Sequence, residues 1–347
     1  MSHKNIPLFI PHQGCPNTCV FCNQRTISGH DTFDRNSVYS IIDNALSTID
    51  TENDEVEIAF FGGSFTGIDR DDMIFLLNAA NQYIVNGKVS SIRLSTRPDY
   101  INSEILEILK FYGVTDIELG VQSMCDRVLY NSKRGHNSIT TEESCKLIKE
   151  HGFNLVGQMM LGLPSSTRED EILTAKKLIE CRVDAVRIYP TVVFPSTELS
   201  EMMKSGCYAP LSVDEAADRA ACILIMLDKS GIPCIRCGLQ SQDNFNSDTV
   251  LAGAYHPAFG SIANGRVMRM NIEKELEKFN ISPYVQDTSS KYKKADELTV
   301  YSDPNRISDV IGYKKENKSY FYHKYNLKIK AVSSSDLSGY ACKIKIN

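Results

Sequence analysis

Three cysteines, Cys15, Cys19 and Cys22, stand at the spacing C-x3-C-x2-C within Gly14-Cys15-Pro16-Asn17-Thr18-Cys19-Val20-Phe21-Cys22. They follow a short apolar run, Ile6 to Ile10. Thiolates ligate soft metal centres, and four of them complete a four-iron cluster. Three thiolates leave one iron open, and an open iron can take a substrate or a cofactor. A zinc loop and a group of free thiols are the alternatives. Structural zinc takes four ligands, and the nearest further candidates, His12 and His30, do not stand at finger spacing. The pattern favours the iron cluster.

The elements that must position this loop alternate along the chain. Ile6 to Pro11 reads as a buried strand, and Ser37 to Ile49 repeats apolar residues at helical spacing. Glu57 to Phe61, Ser91 to Thr96, Asp116 to Gln122, Leu155 to Leu161, Ala185 to Val193 and Pro233 to Leu239 read as further strands. Helices read from Asp71 to Val85, Ser103 to Tyr112, a capping box at Thr140 to Glu143, a start near Thr167 and Asp170, and Asp214 to Lys229. Gly87, Gly113, Gly152 and Gly231 each close a helix a few residues before a strand. Strand–helix units in series imply an α/β fold with a parallel sheet curled toward a barrel, a partial parallel (β/α)6 TIM-like barrel. Such barrels place reacting groups at the C-terminal ends of strands, which is where the cysteine loop falls.

The other strand ends carry polar or glycine residues. Strand two ends in Gly62-Gly63-Ser64-Phe65, and strand three in Ser95-Thr96-Arg97-Pro98-Asp99-Tyr100. Strand four ends in Gln122-Ser123, with Arg134-Gly135-His136 soon after; strand five holds Gln158, and strand six Arg187 and Tyr189. Paired glycines let a backbone approach a ligand closely. Buried polar groups need partners, so Gln122, Gln158 and Arg187 must each find one. Taken singly, each is a structural hydrogen bond. Four polar strand ends around one mouth make a site.

The cysteine spacing, Phe21 before the last cysteine and the position after strand one resemble the radical S-adenosylmethionine (SAM) enzymes. Longer stretches resemble the Elongator catalytic-subunit family: Thr96 to Tyr100, Glu118-Leu119-Gly120-Val121-Gln122-Ser123 with Arg134-Gly135-His136, and Ile188 to Val193 leading to Thr197-Glu198-Leu199 and Gly206-Cys207-Tyr208. The resemblance runs from about Leu8 to Gly253. It implies a [4Fe–4S] cluster on Cys15, Cys19 and Cys22, with SAM on the open iron. It implies cofactor contacts from Phe21, Gly62, Gly63, Ser64, Ser95, Gln122, Arg134 and Gln158, and leaves Arg97, Arg187 and Tyr189 as candidate catalytic residues. One electron from the cluster would then cleave SAM to methionine and a 5′-deoxyadenosyl radical that takes a substrate hydrogen. A one-electron donor such as flavodoxin or ferredoxin is implied. Ser64 stands where related enzymes often carry Glu, so only the backbone role transfers. The cysteine spacing is the ordinary one, not the wider Elongator spacing. No acetyltransferase-type region is read, so an acetyl-CoA-dependent reaction is not expected, and the likeness is to short Elongator-like bacterial proteins lacking that domain.

Composition bounds the rest. Hydrophobic content of 42% and charged content of 23% suit a globular protein. The net charge of −5 excludes a generically basic nucleic-acid binder. Eleven cysteines, an odd number without a secretory leader, point to a reducing cytoplasm. No apolar run reaches the roughly 18 residues of a membrane span. Residues 281–347 hold twelve Lys/Arg and seven Asp/Glu, net +5, against −10 for the remainder. The expected organisation is a core over 1–240, a connecting segment over the barrel mouth at 241–280, and a small basic α+β module at 281–347. The module's strand–helix–Gly312-turn–helix–strand order resembles a KH fold, with Lys315 replacing the second glycine of its GXXG loop. It would serve as a tRNA or RNA docking surface or as a plain cap. Cys234 and Cys237, with Cys207 or Cys222, would ligate a second cluster only if the chain turned, since strand residues three apart face opposite ways; buried free thiols are the favoured reading. His256-Pro257-Ala258-Phe259-Gly260 reads as a loop. The function expected is a radical SAM enzyme, in tRNA or RNA modification; a small metabolite, a porphyrin-like molecule or a peptide as substrate, or a non-catalytic cluster or haem carrier, are the alternatives.

Overall fold

Alternating apolar residues organise seven strands into one parallel sheet. The computed structural model describes residues 3–10, 14–15, 19–23, 34–239, 249–283 and 296–346. Pro16 to Thr18, His12, His30 and parts of the connecting segment and basic module lie outside the described residues. The strands are β1 (His3–Ile10), β2 (Glu55–Gly62), β3 (Ser91–Thr96), β4 (Val114–Gln122), β5 (Asn154–Leu161), β6 (Ala185–Pro190) and, after a two-residue β7 (Val192–Val193), β8 (Cys234–Cys237). Their order is β1-β2-β3-β4-β5-β6-β8, so β1 and β8 are the edges of a curled half-barrel.

Helices α1 (Val38–Leu46), α2 (Arg70–Val85), α3 (Ser103–Phe111), α4 (Asp126–Asn131), α5 (Ser138–Glu150), α6 (Arg168–Glu180), α7 (Glu198–Lys204) and α8 (Val213–Lys229) connect the strands. One strand parity feeds the core: Ile6, Leu8, Ile58, Phe60, Ile92, Leu94, Ile117, Leu119, Leu155, Met159, Val186 and Ile188 are buried in it. The other parity, on the concave side, holds Glu57, Arg93, Ser95, Glu118, Gln158, Arg187 and Tyr189. Side chains two apart in a strand share a face, so a hydrophobic outer layer makes the inner layer polar.

Several boundaries follow local chemistry. The capping box is formed at Thr167 and Asp170, and a second one joins Ser212 and Glu215 at the start of α8. Helix α5 is capped by Asn137, whose side chain accepts from the Thr140 amide, so it begins before the expected Thr140 box. Asparagine supplies the same acceptor one turn earlier. Strand six stops at Pro190, not Val193, because Val192–Val193 pairs instead with β9 (Ala252–Gly253). Helices α4 and α7 are additional to the sequence reading.

The largest difference lies at Phe259–Lys278, which is a 20-residue helix, α9, where the sequence suggested a loop and connection. It packs against α8 on one side and the C-terminal elements on the other. Those elements are β10 (Asp296–Ser302), α10 (Ile307–Ile311), α11 (Glu316–Tyr325), β11 (Leu327–Ser333) and β12 (Cys342–Ile346). Their sheet has the order β11-β10-β12, with β10 parallel to β11 and antiparallel to β12. Lys314 and Lys315, in the turn between α10 and α11, have φ of 49° and 66°. Leu298, Val300 and Phe321 join the same hydrophobic cluster as the half-barrel.

Asn317 fastens this junction. Its amide donates to the Gly265 carbonyl at 2.9 Å and the Asp309 carbonyl at 3.0 Å, and its oxygen accepts from Arg269 Nε at 3.0 Å. Replacing it with Leu strands two buried carbonyls and a guanidinium N–H, each costing about 1–3 kcal/mol. Asn317→Leu is therefore expected to lower the urea midpoint by an amount worth at least ~2 kcal/mol. An unchanged midpoint would show that the side chain is dispensable.

Candidate active site

The cysteine loop leaves β1 and is clamped on the turn after β2. Gly14 has φ of 73°, and a Cβ there would lie 2.1 Å from the Ser64 carbonyl oxygen. Gly62, φ 119°, would place a Cβ 2.4 Å from the Ile10 carbonyl, and the Gly63 amide donates to that same carbonyl at 3.0 Å. The glycine pair thus lets β1 and β2 deliver their C-terminal ends side by side. The far side of the loop is tied down by Val20, whose amide donates to Ser132 and whose carbonyl accepts from Leu199. Val20 packs with Val193, Leu199 and Tyr208, and Phe21 rests against that cluster. Phe21 is placed here as a packing residue of the loop.

Cys19 is buried, Cys22 half-buried and Cys15 exposed. Two guanidinium groups meet Cys19. Arg134 Nη1 is 3.2 Å from its Sγ and Arg97 Nη1 is 4.0 Å away. Arg134 also donates to the Gly120 carbonyl at 2.6 Å, and Arg97 donates to the Arg134 carbonyl. Asp99 accepts two bonds from Arg97, at 2.9 and 2.8 Å. Burial would raise the Asp99 carboxyl, but the Arg97 guanidinium holds it below the usual carboxylate range. Ser64 Oγ is 2.9 Å from Thr96 Oγ1 and accepts from the Arg97 amide at 3.3 Å, so its hydroxyl is committed to the scaffold. Arg97, a candidate catalytic residue in the sequence reading, stands beside the cysteine loop. His136 follows Arg134 in the chain; burial and that guanidinium push it down to about 4, so its ring is neutral near pH 7.

Gln122 ends β4 in a left-handed conformation, φ 65°, at an irregularity in the β4–β5 register. A non-glycine residue rarely adopts that geometry without a compensating role. Its amide nitrogen folds back over Gly120, beside Arg134. Its Oε1 and Arg134 Nε are buried with no protein partner. These unpartnered groups, at the mouth and next to the cysteine loop, suit a polar ligand bound there.

Deeper in the half-barrel, Glu118 gathers the remaining candidates. It is 1% exposed and accepts from Arg187 Nη2 at 2.6 Å, Gln158 Nε2 at 2.8 Å, Arg93 Nη1 at 3.2 Å and Ser95 Oγ at 3.4 Å. Arg93 also reaches Glu57 at 2.8 Å and Asp116 at 3.2 Å. Gln158 and Ser95, read as cofactor contacts, therefore have their donors on Glu118. Arg187 keeps an unpartnered buried Nε. Burial pushes the neighbouring Tyr189 hydroxyl above the usual phenol range, with Arg187 opposing. Glu118, Arg93 and Glu57 were not assigned roles from the sequence. The signal was present in their parity, since 93 and 95, 116 and 118, and 187 and 189 each share the inner face.

Cys234 and Cys237 are free thiols, as the sequence suggests, but they do not face opposite ways. The Cys234 thiol donates to the Arg236 carbonyl at 3.2 Å, and the nearness of the two sulfurs lowers Cys234 and raises Cys237. Irregular pairing of β8 with β6 brings together side chains that a regular strand would separate. Cys222 instead accepts from Arg168 on the outer surface. His256 precedes α9, and its ring meets Tyr313 edge-on at 5.1 Å. Among the described residues, no three His, Cys, Asp or Glu side chains stand close enough together to hold a metal ion, Cys15, Cys19 and Cys22 included. The donor chemistry nevertheless fits an iron–sulfur cluster: three thiols lie on one loop, and guanidinium N–H groups aim at one sulfur. Among the described residues no helix is long and apolar enough to cross a membrane.

The inner network yields a stability prediction. Glu118→Ala takes from Arg187, 13% exposed, its carboxylate partner, while Arg93 keeps Glu57 and Asp116. Breaking a buried pair costs about 3–5 kcal/mol, so denaturant unfolding should reveal a loss of that order, with Glu118→Gln losing less. Equal midpoints for all three proteins would contradict the network's role.

Residues 9–178 match the family described as the Radical SAM superfamily, and residues 183–269 match the Radical_SAM C-terminal domain. Elongator complex protein 3 of Saccharomyces cerevisiae is 32% identical over 194 residues, covering 50% of this chain and 35% of that protein. The tRNA uridine(34) acetyltransferase of Methanocaldococcus jannaschii is 38% identical over 129 residues, covering 36% of this chain and 24% of that protein. The chain therefore spans well under two thirds of these relatives' lengths. The archaeal Methanocaldococcus infernus Elp3 structure shares the fold, with a TM-score of 0.59 and 20% identity over 80% of this chain and 63% of that one. The family's cofactors, a [4Fe–4S] cluster and S-adenosylmethionine, suit the donor set and the unpartnered groups at the mouth. With its cysteine loop at the mouth of a parallel half-barrel, the chain belongs to the radical SAM superfamily and is an Elongator-like enzyme of it.

Proposed function

We propose that this enzyme takes a hydrogen atom from a nucleoside of tRNA or another RNA. In this reading Cys15, Cys19 and Cys22 hold the cluster, and Gly62, Gly63, Gln122 and Arg134 receive SAM. The observation that carries it is Gln122, held in a left-handed conformation with an unpartnered buried oxygen beside the arginine that meets Cys19. Bound together, the cluster and SAM supply one-electron cleavage of a carbon–sulfur bond and a radical strong enough to take hydrogen from carbon.

The chain's own part is positioning. Arg134 and Arg97 direct N–H groups at Cys19, and hydrogen bonds to cluster sulfurs raise the reduction potential by stabilising added negative charge. Arg97 thereby acts as a positioning residue for the loop. Glu118 fixes Arg187 beneath the mouth, where Arg187 Nε and the Tyr189 hydroxyl hold a polar part of the substrate. The apolar outer layer keeps water from the sheet. A small one-electron donor such as flavodoxin or ferredoxin reduces the enzyme.

RNA as the substrate class is supported by the names of two relatives, Elongator complex protein 3 and tRNA uridine(34) acetyltransferase. Nucleoside profiles of tRNA from cells with and without the gene test it. The loss of one modified nucleoside, restored by the wild-type gene and not by Cys19→Ala, is the expected outcome. Identical profiles across every RNA fraction, from an enzyme that cleaves SAM in vitro, would rule RNA out as the substrate.

A binding measurement tests the SAM assignment. Gln122→Ala removes about one hydrogen bond, worth ~1.4 kcal/mol, and should weaken SAM binding about tenfold. Iron content should stay unchanged. Wild-type affinity in the variant would remove Gln122 from the site.

A further inference from the structure

The outer face of the C-terminal sheet carries lysines on both sides of its central strand. Lys328 and Lys330 on β11 and Lys343 and Lys345 on β12 are all exposed. The register fixes their arrangement. Thr299 of β10 lies between Lys330 and Lys345, and Tyr301 lies between Val332 and Lys343. Leu298, Val300, Leu327 and Ile329, of the opposite parity, are buried. The four lysines therefore share one face, their backbone positions about 7 Å apart along each edge strand and about 10 Å across β10. Glu297 is the one acid of this parity in the three strands, and it pairs with Lys330 at 3.9 Å. Half-buried Tyr301 offers an aromatic ring among the cations.

Lysines on edge strands also guard against strand-to-strand aggregation. Charge of either sign would do that. Here one sign is gathered on both edges, while residues 1–280 of the same chain carry a net −10. Such a segregated cationic face matches a polyanion, and flexible lysine stems suit phosphates at varied positions. A membrane surface would also favour exposed apolar side chains that insert. Ile346, the exposed large apolar residue of these strands, has the opposite parity.

We infer that this sheet face is an RNA docking surface, on which Lys328, Lys330, Lys343 and Lys345 hold the phosphate backbone while the nucleoside reaches the half-barrel. The inference rests on the RNA reading above for its partner, but its test measures binding without turnover. It places docking beyond residue 269, outside the stretches that match the radical SAM families.

Fluorescence anisotropy of labelled bulk tRNA, titrated with the full-length holoenzyme over a range of KCl, tests it. Releasing counterions from four phosphates contributes a slope of about −3 to the plot of log affinity against log salt. Changing all four lysines to Gln should weaken binding at low salt and flatten that slope by about 3. Lys328→Gln with Lys330→Gln, or Lys343→Gln with Lys345→Gln, should each remove about half, so the test survives if the fourfold variant folds poorly. Changing the four to Arg should preserve affinity and slope. SAM cleavage in the absence of RNA should be the same in all the variants. Tight tRNA binding by wild type with an undiminished slope in the fourfold variant would overturn the surface and leave the RNA reading standing. No tRNA binding by wild type would overturn both. Preferential binding to vesicles of phosphatidylserine and phosphatidylcholine, lost in the fourfold variant, would overturn RNA as the partner of this face.

Discussion

A carboxylate with almost no contact with water must be neutralised where it stands, and Glu118 sets that requirement at the centre of the half-barrel. Its partners come from three other strands: Arg93 and Ser95 from β3, Gln158 from β5 and Arg187 from β6. These bonds form because parallel pairing puts the residues on one face at nearly one level, and those from Arg187 and Gln158 are the short ones, at 2.6 and 2.8 Å. The network locks four neighbouring strands in register at the depth where a substrate would end. One turn of the pleat nearer the mouth, the same β4 strand supplies Gly120 and Gln122, and Arg134 binds its backbone there. The cysteine loop therefore inherits its position from the network below it.

This coupling explains why the mouth can carry strain. Gln122 holds a left-handed backbone and leaves a buried oxygen without a protein partner. Such a residue persists only when its surroundings over-determine it. Arg134 on one side and the fixed β4–β5 pairing on the other provide that restraint. The glycine turn after β2 acts similarly from the opposite side, since both Gly14 and Gly62 touch backbone that no side chain could approach. Loop, turn and strand end converge on one opening.

Much of this was legible in the sequence. Apolar residues at period two and near period 3.6 located the strands and helices around the half-barrel, and the cysteine spacing identified the mouth. What escaped had physical causes. Helix α9 buries Arg266 and Arg269 against Glu316 and Asp214, so its buried side is charged and its apolar period is masked. Gln158 and Arg187 were expected to need partners, but their common partner, Glu118, depends on which strands lie side by side. The meeting of Cys234 and Cys237 depends on a local irregularity that regular strand geometry does not foresee. The lysine face required the register of β11 and β12 on either side of β10.

Cleavage of SAM at this mouth is the reaction on which every assigned role depends. Protein reconstituted anaerobically with iron and sulfide, then given dithionite and SAM, should form 5′-deoxyadenosine, and the Cys15→Ala, Cys19→Ala and Cys22→Ala variants should form none. A fully loaded wild-type cluster that yields no 5′-deoxyadenosine, with or without RNA, would contradict it.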